Sequence, residues 1–338
     1  MWKRILSLSL SILLVLSVFS ACGGEASTPT EPQVTEDPEE AKVLRVLNLG
    51  NSASSDACHM LNLIAGVEGF DGELYVGVLY YSGCTLPQHV TFAKENSRQY
   101  ILYTASSSTP DVPRQGIEGV TMQEAITYAD WDIIVMQHGG FDSGDESTYT
   151  NGNIQFIQNY VNQHKTNPNA VFAWHAGSIG STEPDLIAMY PYTPNPYETN
   201  YEKYNYDRAL INSMRMKCMQ KYILTDSSFI YFIPTGTAIE NAITSYLGQY
   251  GLKRDYTHLS DLGRVIASYF YYCTLTGITH LDEVKLDAIP VAFLKSITGT
   301  EDHVLTEMEK AIILESVNNA LANPFDITQS QYTEAPTE

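Results

Sequence analysis

Apolar runs of strand length alternate along the chain with amphipathic stretches of helical length. Residues 43–49 (VLRVLNL) read as a strand broken by Gly50-Asn51-Ser52, and residues 55–67 follow with a helical period. Residues 73–81 (ELYVGVLYY) predict a second strand that ends at Ser82-Gly83, and residues 131–137 (WDIIVMQ) predict another before Gly139-Gly140. Further buried strands are expected at 170–177 (AVFAWHAG) and 229–236 (FIYFIPTG). Helical periods cover 121–129, 152–164, about 202–221, the stretch after 236, 259–275 and 302–321. Residues 99–106 (QYILYTAS) are strand-like, but their polar flanks suggest an excursion off the main sheet. Near-continuous apolar strands alternating with helices predict a mainly parallel sheet covered on both faces, a flavodoxin-like three-layer α/β/α sandwich. Such sheets bind ligands outside the carboxyl ends of their strands. Ser52, Gly83, Gln137 and His175 all fall at or just past predicted strand ends.

The two ends of the chain have a different character. Lys3 and Arg4 precede an apolar run from Ile5 to Phe19, and Ser20-Ala21 lead into Cys22. This reads as an export signal over residues 1–22. The run is shorter than the roughly 20 apolar residues a membrane span needs. The cysteine after VFSA resembles a bacterial lipobox, which implies lipidation at Cys22 and anchoring at a bacterial cell surface; plain secretion is the alternative. Residues 23–41 hold six acids, no base and one large aliphatic side chain, Val34. Such a segment cannot bury enough apolar surface to offset its ordering entropy, so it is expected to be a disordered tether. Residues 324–338 look like a second disordered end, leaving 42–323 as one folded domain with no Pro/Gly/Ser linker inside it.

The formal net charge of −20 argues against nucleic acid and against a polybasic membrane patch. Membrane association is therefore expected only through the lipid at Cys22. Cys58, Cys84, Cys218 and Cys273 form no CxxC pair and lack metal-ligand spacing, so no metal site is expected and the thiols read as small buried residues. No cofactor is implied, and nothing in the sequence speaks to oligomeric state.

The chemistry turns on Ser52. A serine hydroxyl is a weak nucleophile unless a base takes its proton, and that base must be oriented by a third group. The stretch RDYTHLSDLGR (254–264) offers such a pair, because Asp255 and His258 are three residues apart in a turn before a helix. That spacing can bring the carboxylate to Nδ1 while Nε2 points outward. The competing reading makes Asp255 a helix cap and His258 a surface residue.

Four segments in order, LNLGNSASSDA, YYSGCTL, DIIVMQHGG and RDYTHLSDLGR followed by YYCTLTG, resemble the SGNH (GDSL-like) hydrolases, in the form whose first block reads GNS. The resemblance spans most of the domain and implies the SGNH variant of the sandwich. It makes Ser52 the nucleophile and a backbone donor of the oxyanion hole, Gly83 a second backbone donor, and Asp255 and His258 the orienting acid and the base. The third block lacks the usual Gly-x-Asn-Asp, and Gln137 is the amide at that place, where related esterases of the sialate-acetylesterase type also carry glutamine. Asn51 stands where the family commonly has Asp, at a position that serves the turn. Taken with the export signal, the resemblance implies an extracytoplasmic serine esterase acting on an acyl ester of a glycan or small molecule. The alternative is an inert SGNH scaffold that binds a glycan or small solute. Six tyrosines in 190–206 suit sugar faces, although a Tyr/Pro insertion packed on its own domain explains them equally. A nucleotide- or flavin-binding fold is disfavoured, since the first turn lacks repeated glycines and a phosphate-loop lysine.

Overall fold

The computed structural model describes residues 42–110, 112–139, 143–189, 205–288, 294 and 302–336. Cys22, the tether of residues 23–41, Gly140 and residues 190–204 of the tyrosine-rich run lie outside the described residues.

The first strand, β1 (Val43–Gly50), occupies the middle of the sheet, and its side chains show why. Val46 packs into one apolar cluster and Leu47 into another on the opposite face. Both are fully buried, and each burial contributes about 1.5–3 kcal/mol relative to exposure. The remaining strands are β2 (Glu73–Tyr80), β3 (Tyr100–Ser106), β4 (Gln115–Val120), β5 (Ile133–Gln137), β6 (Val171–His175) and β7 (Phe229–Ile233). They lie in the order β4-β3-β2-β1-β5-β6-β7. β2, β1, β5, β6 and β7 run parallel, whereas β3 and β4 are antiparallel additions beyond β2.

The helices, in chain order, are α1 (Ser52–Ala57), α2 (Leu61–Glu68), α3 (Leu86–Glu95), α4 (Met122–Ile126), α5 (Ser147–Thr150), α6 (Asn153–His164), α7 (Pro184–Ala188), α8 (Arg208–Tyr222), α9 (Thr235–Ile243), α10 (Gly248–Leu252), α11 (Asp261–Thr276) and α12 (Glu307–Ala322). Residues of α2, α9, α11 and α12 build the cluster on one face, with Ile64, Ile239, Ile266 and Ile313 fully buried. Residues of α3, α4, α6 and α8 build the other, around Trp131 and Trp174. The fold is thus the expected α/β architecture, a mostly parallel seven-stranded sheet between helical layers, consistent with the SGNH and flavodoxin-like type. In the middle of β2, a Cβ on Gly77 would lie 2.6 Å from Trp131 Cη2. Only glycine leaves room for that indole.

Two expectations are corrected, and one strand escaped the sequence reading. Residues 99–106 do not leave the sheet. Tyr100 and Leu102 point into the core while β3 pairs antiparallel with β2, so the polar flanks mark turns. β4 was not legible at all, because QGIEGV is an edge strand whose first four residues are exposed and so carries no apolar alternation. Nor are residues 324–336 a loose end. Thr237 Oγ1 donates to Pro324 O at 2.8 Å, Thr328 N donates to Asn241 Oδ1 at 2.7 Å and Tyr246 N to Tyr332 O at 2.8 Å. Phe325 stacks on Phe232 with ring centroids 5.6 Å apart. One aromatic stack, two side-chain partners on α9 and the Tyr246 backbone hold this polar segment.

Candidate active site

At the carboxyl edge of the sheet, β1 ends in Gly50 beside Tyr80 of β2. A Cβ on Gly50 would lie 2.3 Å from Ser54 Oγ and 3.1 Å from Gln137 Cδ, so the turn closes directly onto those two side chains. Asn51 then caps α1. Its Oδ1 accepts from Ala53 N at 2.9 Å, and its Nδ2 donates to Cys84 O at 2.9 Å. The asparagine therefore serves the turn, and it also ties the β1 turn to the β2 turn that holds Gly83. Gly83 has φ +63°, a left-handed conformation that favours glycine. Ser52 is the first residue of α1 and is half-buried. Its hydroxyl and its N–H, like the N–H of Gly83, have no hydrogen-bond partner among the described residues.

Gln137, at the end of β5, is buried. Ser54 Oγ donates to its Oε1 at 2.6 Å, and His175 Nδ1 lies 3.4 Å from the same oxygen. His175 Nε2 lies 2.8 Å from Thr235 Oγ1. Burial, with Arg215 nearby, lowers the His175 pKa to about 3, so the ring is neutral and carries one proton. Placing that proton on Nδ1 satisfies both the glutamine oxygen and the threonine hydroxyl. The amide is thereby fixed by its oxygen, and its Nε2 is buried without a partner. A buried donor left unmade costs about 1–3 kcal/mol, which makes it an unusual feature of a sheet edge.

The structure brings Asp255 and His258 together. Asp255 Oδ2 lies 2.7 Å from His258 Nδ1, and Oδ1 accepts from the backbone N–H groups of Thr257 and His258, each at 2.8 Å. Burial alone would raise the Asp255 pKa, but the His258 side chain and these N–H groups outweigh it and hold the carboxyl well below its usual range. A carboxylate on Nδ1 fixes the tautomer with Nε2 free to accept a proton. The capping alternative is excluded, since α11 is capped by Ser260, whose Oγ accepts from Gly263 N at 3.2 Å.

The link between the serine helix and the histidine turn comes from a residue that sequence reasoning missed. Asp56 lies one helical turn beyond Ser52 and is buried. Its Oδ2 accepts from Leu259 N at 2.9 Å, and its Oδ1 from Arg264 Nε at 2.9 Å and Arg254 Nη1 at 3.3 Å. Leu259 directly follows His258, so Asp56 fastens the turn to α1. The only sequence signal was its i,i+4 spacing from Ser52. No hydrogen bond joins Ser52 to His258 among the described residues.

The other candidates take structural places. Cys84 is buried, and burial pushes its thiol up to about 12. Cys58, Cys84, Cys218 and Cys273 are all buried and unpaired. His138 is buried against the Tyr149 ring. No cluster of three potential metal ligands occurs among the described residues, and none of their helices is long and apolar enough to cross a membrane.

The profile of a domain of unknown function, DUF4886, matches residues 45–287. A DUF4886 family protein from Bacteroides uniformis superposes with a TM-score of 0.67 at 22% identity, covering 87% of this chain and all of that one. A protein from Slackia heliotrinireducens, provisionally described as an SGNH hydrolase, covers 69% of this chain and all of its own at 14% identity, with a TM-score of 0.44. No curated protein matches.

Proposed function

Since the chain belongs to the DUF4886 family, whose description names no reaction, we propose from the site itself that it is a serine esterase. The observation that carries this reading is the Asp255–His258 pair fastened by Asp56 to the helix that begins at Ser52. Around that serine, Gln137 Nε2 is buried without a partner, and Ser52 N–H and Gly83 N–H make no hydrogen bond among the described residues. In this reading Ser52 Oγ attacks the acyl carbon as His258 Nε2 takes its proton, and Asp255 stabilises the imidazolium. The three free donors receive the oxyanion. His258 then protonates the departing alkoxide and activates water to clear the acyl-enzyme. The substrate is an acyl ester, with a carbohydrate or small alcohol as leaving group. Export and lipidation at Cys22, with work at the cell surface, belong to the same proposal.

The test is hydrolysis of 4-nitrophenyl butyrate and of acetylated sugars by the purified protein. Ser52→Ala and His258→Ala are each expected to lower kcat by about 10⁴-fold or more. Equal rates in all three proteins would overturn the assignment. The missing hydrogen bond between Ser52 and His258 favours a second reading, a binding protein that does not turn over its ligand. A fluorophosphonate probe separates the two, since an activated Ser52 is labelled and an inert one is not.

A further inference from the structure

In a chain with a net charge of −20, three of the eight arginines gather around α1. Arg254 and Arg264 share Asp56, and Arg264 Nη1 also reaches Asp261 Oδ1 at 2.8 Å. Arg114 comes from the other side, from the segment entering β4. Its Nη1 donates to Ser55 O at 3.0 Å and Ser55 Oγ at 3.3 Å, and its guanidinium lies 5.2 Å from the centroid of the Tyr103 ring. Its Nη2 is buried and has no partner. The nearby carboxylates are occupied: Asp56 by three donors, Asp261 by Arg264 and Asp255 by His258.

A buried cationic donor without an acceptor is costly, and native proteins pair such groups. His59, in the turn after α1, is held neutral: burial first, then Arg264, Arg114 and Arg254, lower its pKa to about 3 against the opposing pull of Asp56. Ser55 is three residues beyond Ser52, about 4.5 Å along the helix axis, and Arg114 binds it from the carbonyl side, one further hydrogen-bond length on. That is the span of a few bonds within one small substrate. A guanidinium fork matches a carboxylate in charge and in planar geometry.

We propose that Arg114 forms an anion subsite on the Ser52 helix that receives the carboxylate of an acid-bearing ester substrate. The proposal rests on the esterase reading for its substrate and on the unpaired guanidinium for its ligand. It narrows the substrate from any acyl ester to one with an anionic group close to the scissile bond.

The test is calorimetric titration of the full chain with D-glucuronate and with glucose at constant ionic strength. The wild-type protein should bind the sugar acid about 10–100-fold more tightly, the range of charge-assisted hydrogen bonds. Arg114→Gln should abolish that preference and Arg114→Lys retain part of it. Arg98→Gln, at an exposed arginine paired with Glu124, should leave it unchanged. Equal binding of the two sugars, or a preference that survives Arg114→Gln, overturns the subsite. Inorganic phosphate distinguishes a substrate group from a free anion. Phosphate should raise KM for 4-nitrophenyl butyrate without changing kcat, and saturable phosphate binding with no effect on KM would refute placement beside Ser52. If no ester is hydrolysed while the Arg114-dependent preference stands, the esterase reading fails and the subsite survives.

Discussion

Replacing Asp56 with asparagine removes the charge that fastens the histidine turn to α1. The carboxylate is 5% exposed and accepts from Leu259 N, Arg264 Nε and Arg254 Nη1. Breaking a buried ion pair on one side costs about 3–5 kcal/mol. Two features move the expectation to the lower end. Arg254 is 36% exposed and its contact is long, so water replaces most of what it loses. Arg264 keeps Asp261. A loss of about 3 kcal/mol remains, which for a domain of this size lowers Tm by roughly 5 °C. His258 is then free to drift from Ser52, and a misplacement near 1 Å costs about 10²-fold in turnover. Asp56→Asn should therefore lower both Tm and kcat/KM, and fluorophosphonate labelling of Ser52 should slow with them. Asp261→Asn, which removes the outer partner of Arg264 and leaves Asp56 in place, should cost about 1 kcal/mol or less. An Asp56→Asn protein that melts and labels like the wild type would refute the idea that this carboxylate holds the site together.

Three further outcomes follow from the same geometry. Ser54→Ala frees the Gln137 amide to rotate and should lower kcat about tenfold with KM unchanged, whereas Gln137→Ala should lower kcat by about 10²–10³-fold; recovery in Ser54→Thr would show that the hydroxyl, not the side-chain volume, fixes the amide, and unchanged kcat in Gln137→Ala would remove it from the oxyanion hole. Asp56 and Asp255 are both held below the usual carboxylate range, so their stabilisation is complete above the unfolded value near pH 4 and is lost as pH falls through the lower native values. Thermal melting should thus lose stability below about pH 4, more steeply in the wild type than in Asp56→Asn, and identical slopes would contradict the linkage. Cys84, with its thiol pushed up to about 12, should resist iodoacetamide at about pH 8, and Cys84→Ala should retain activity within about twofold; rapid alkylation of the native protein would show a reactive thiol instead.

Much of the scaffold could be read from the chain because its central strands are buried on both faces and show as continuous apolar runs. The edge was harder. β4 has solvent on both sides, and β3 joins the sheet in the direction opposite to β2, which no periodicity encodes. The Asp255–His258 contact was legible because three residues in a turn fix its geometry locally. Gln137 was legible only as a strand-end amide, and its orientation depends on Ser54 and His175, which lie 83 and 38 residues away. Asp56 and Arg114 were invisible for the same reason. Their partners Leu259 and Ser55 come together only through the tertiary fold, and a single sequence gives no sign of a hydrogen bond across 203 residues.

The clasp formed by residues 324–336 sets an order on synthesis. α9, on which it lies, begins at Thr235, whose hydroxyl meets His175 under the candidate site. Chains emerge amino end first, so the central strand is made well before residues 324–336. Until residues 324–336 have emerged, α9 lacks the partners that Pro324 and Thr328 supply, and Tyr246 just beyond it lacks Tyr332. A carboxyl-terminal truncation at residue 323 would therefore leave a nascent-like state, with the helix behind His175 unfastened although every residue of the candidate site is present.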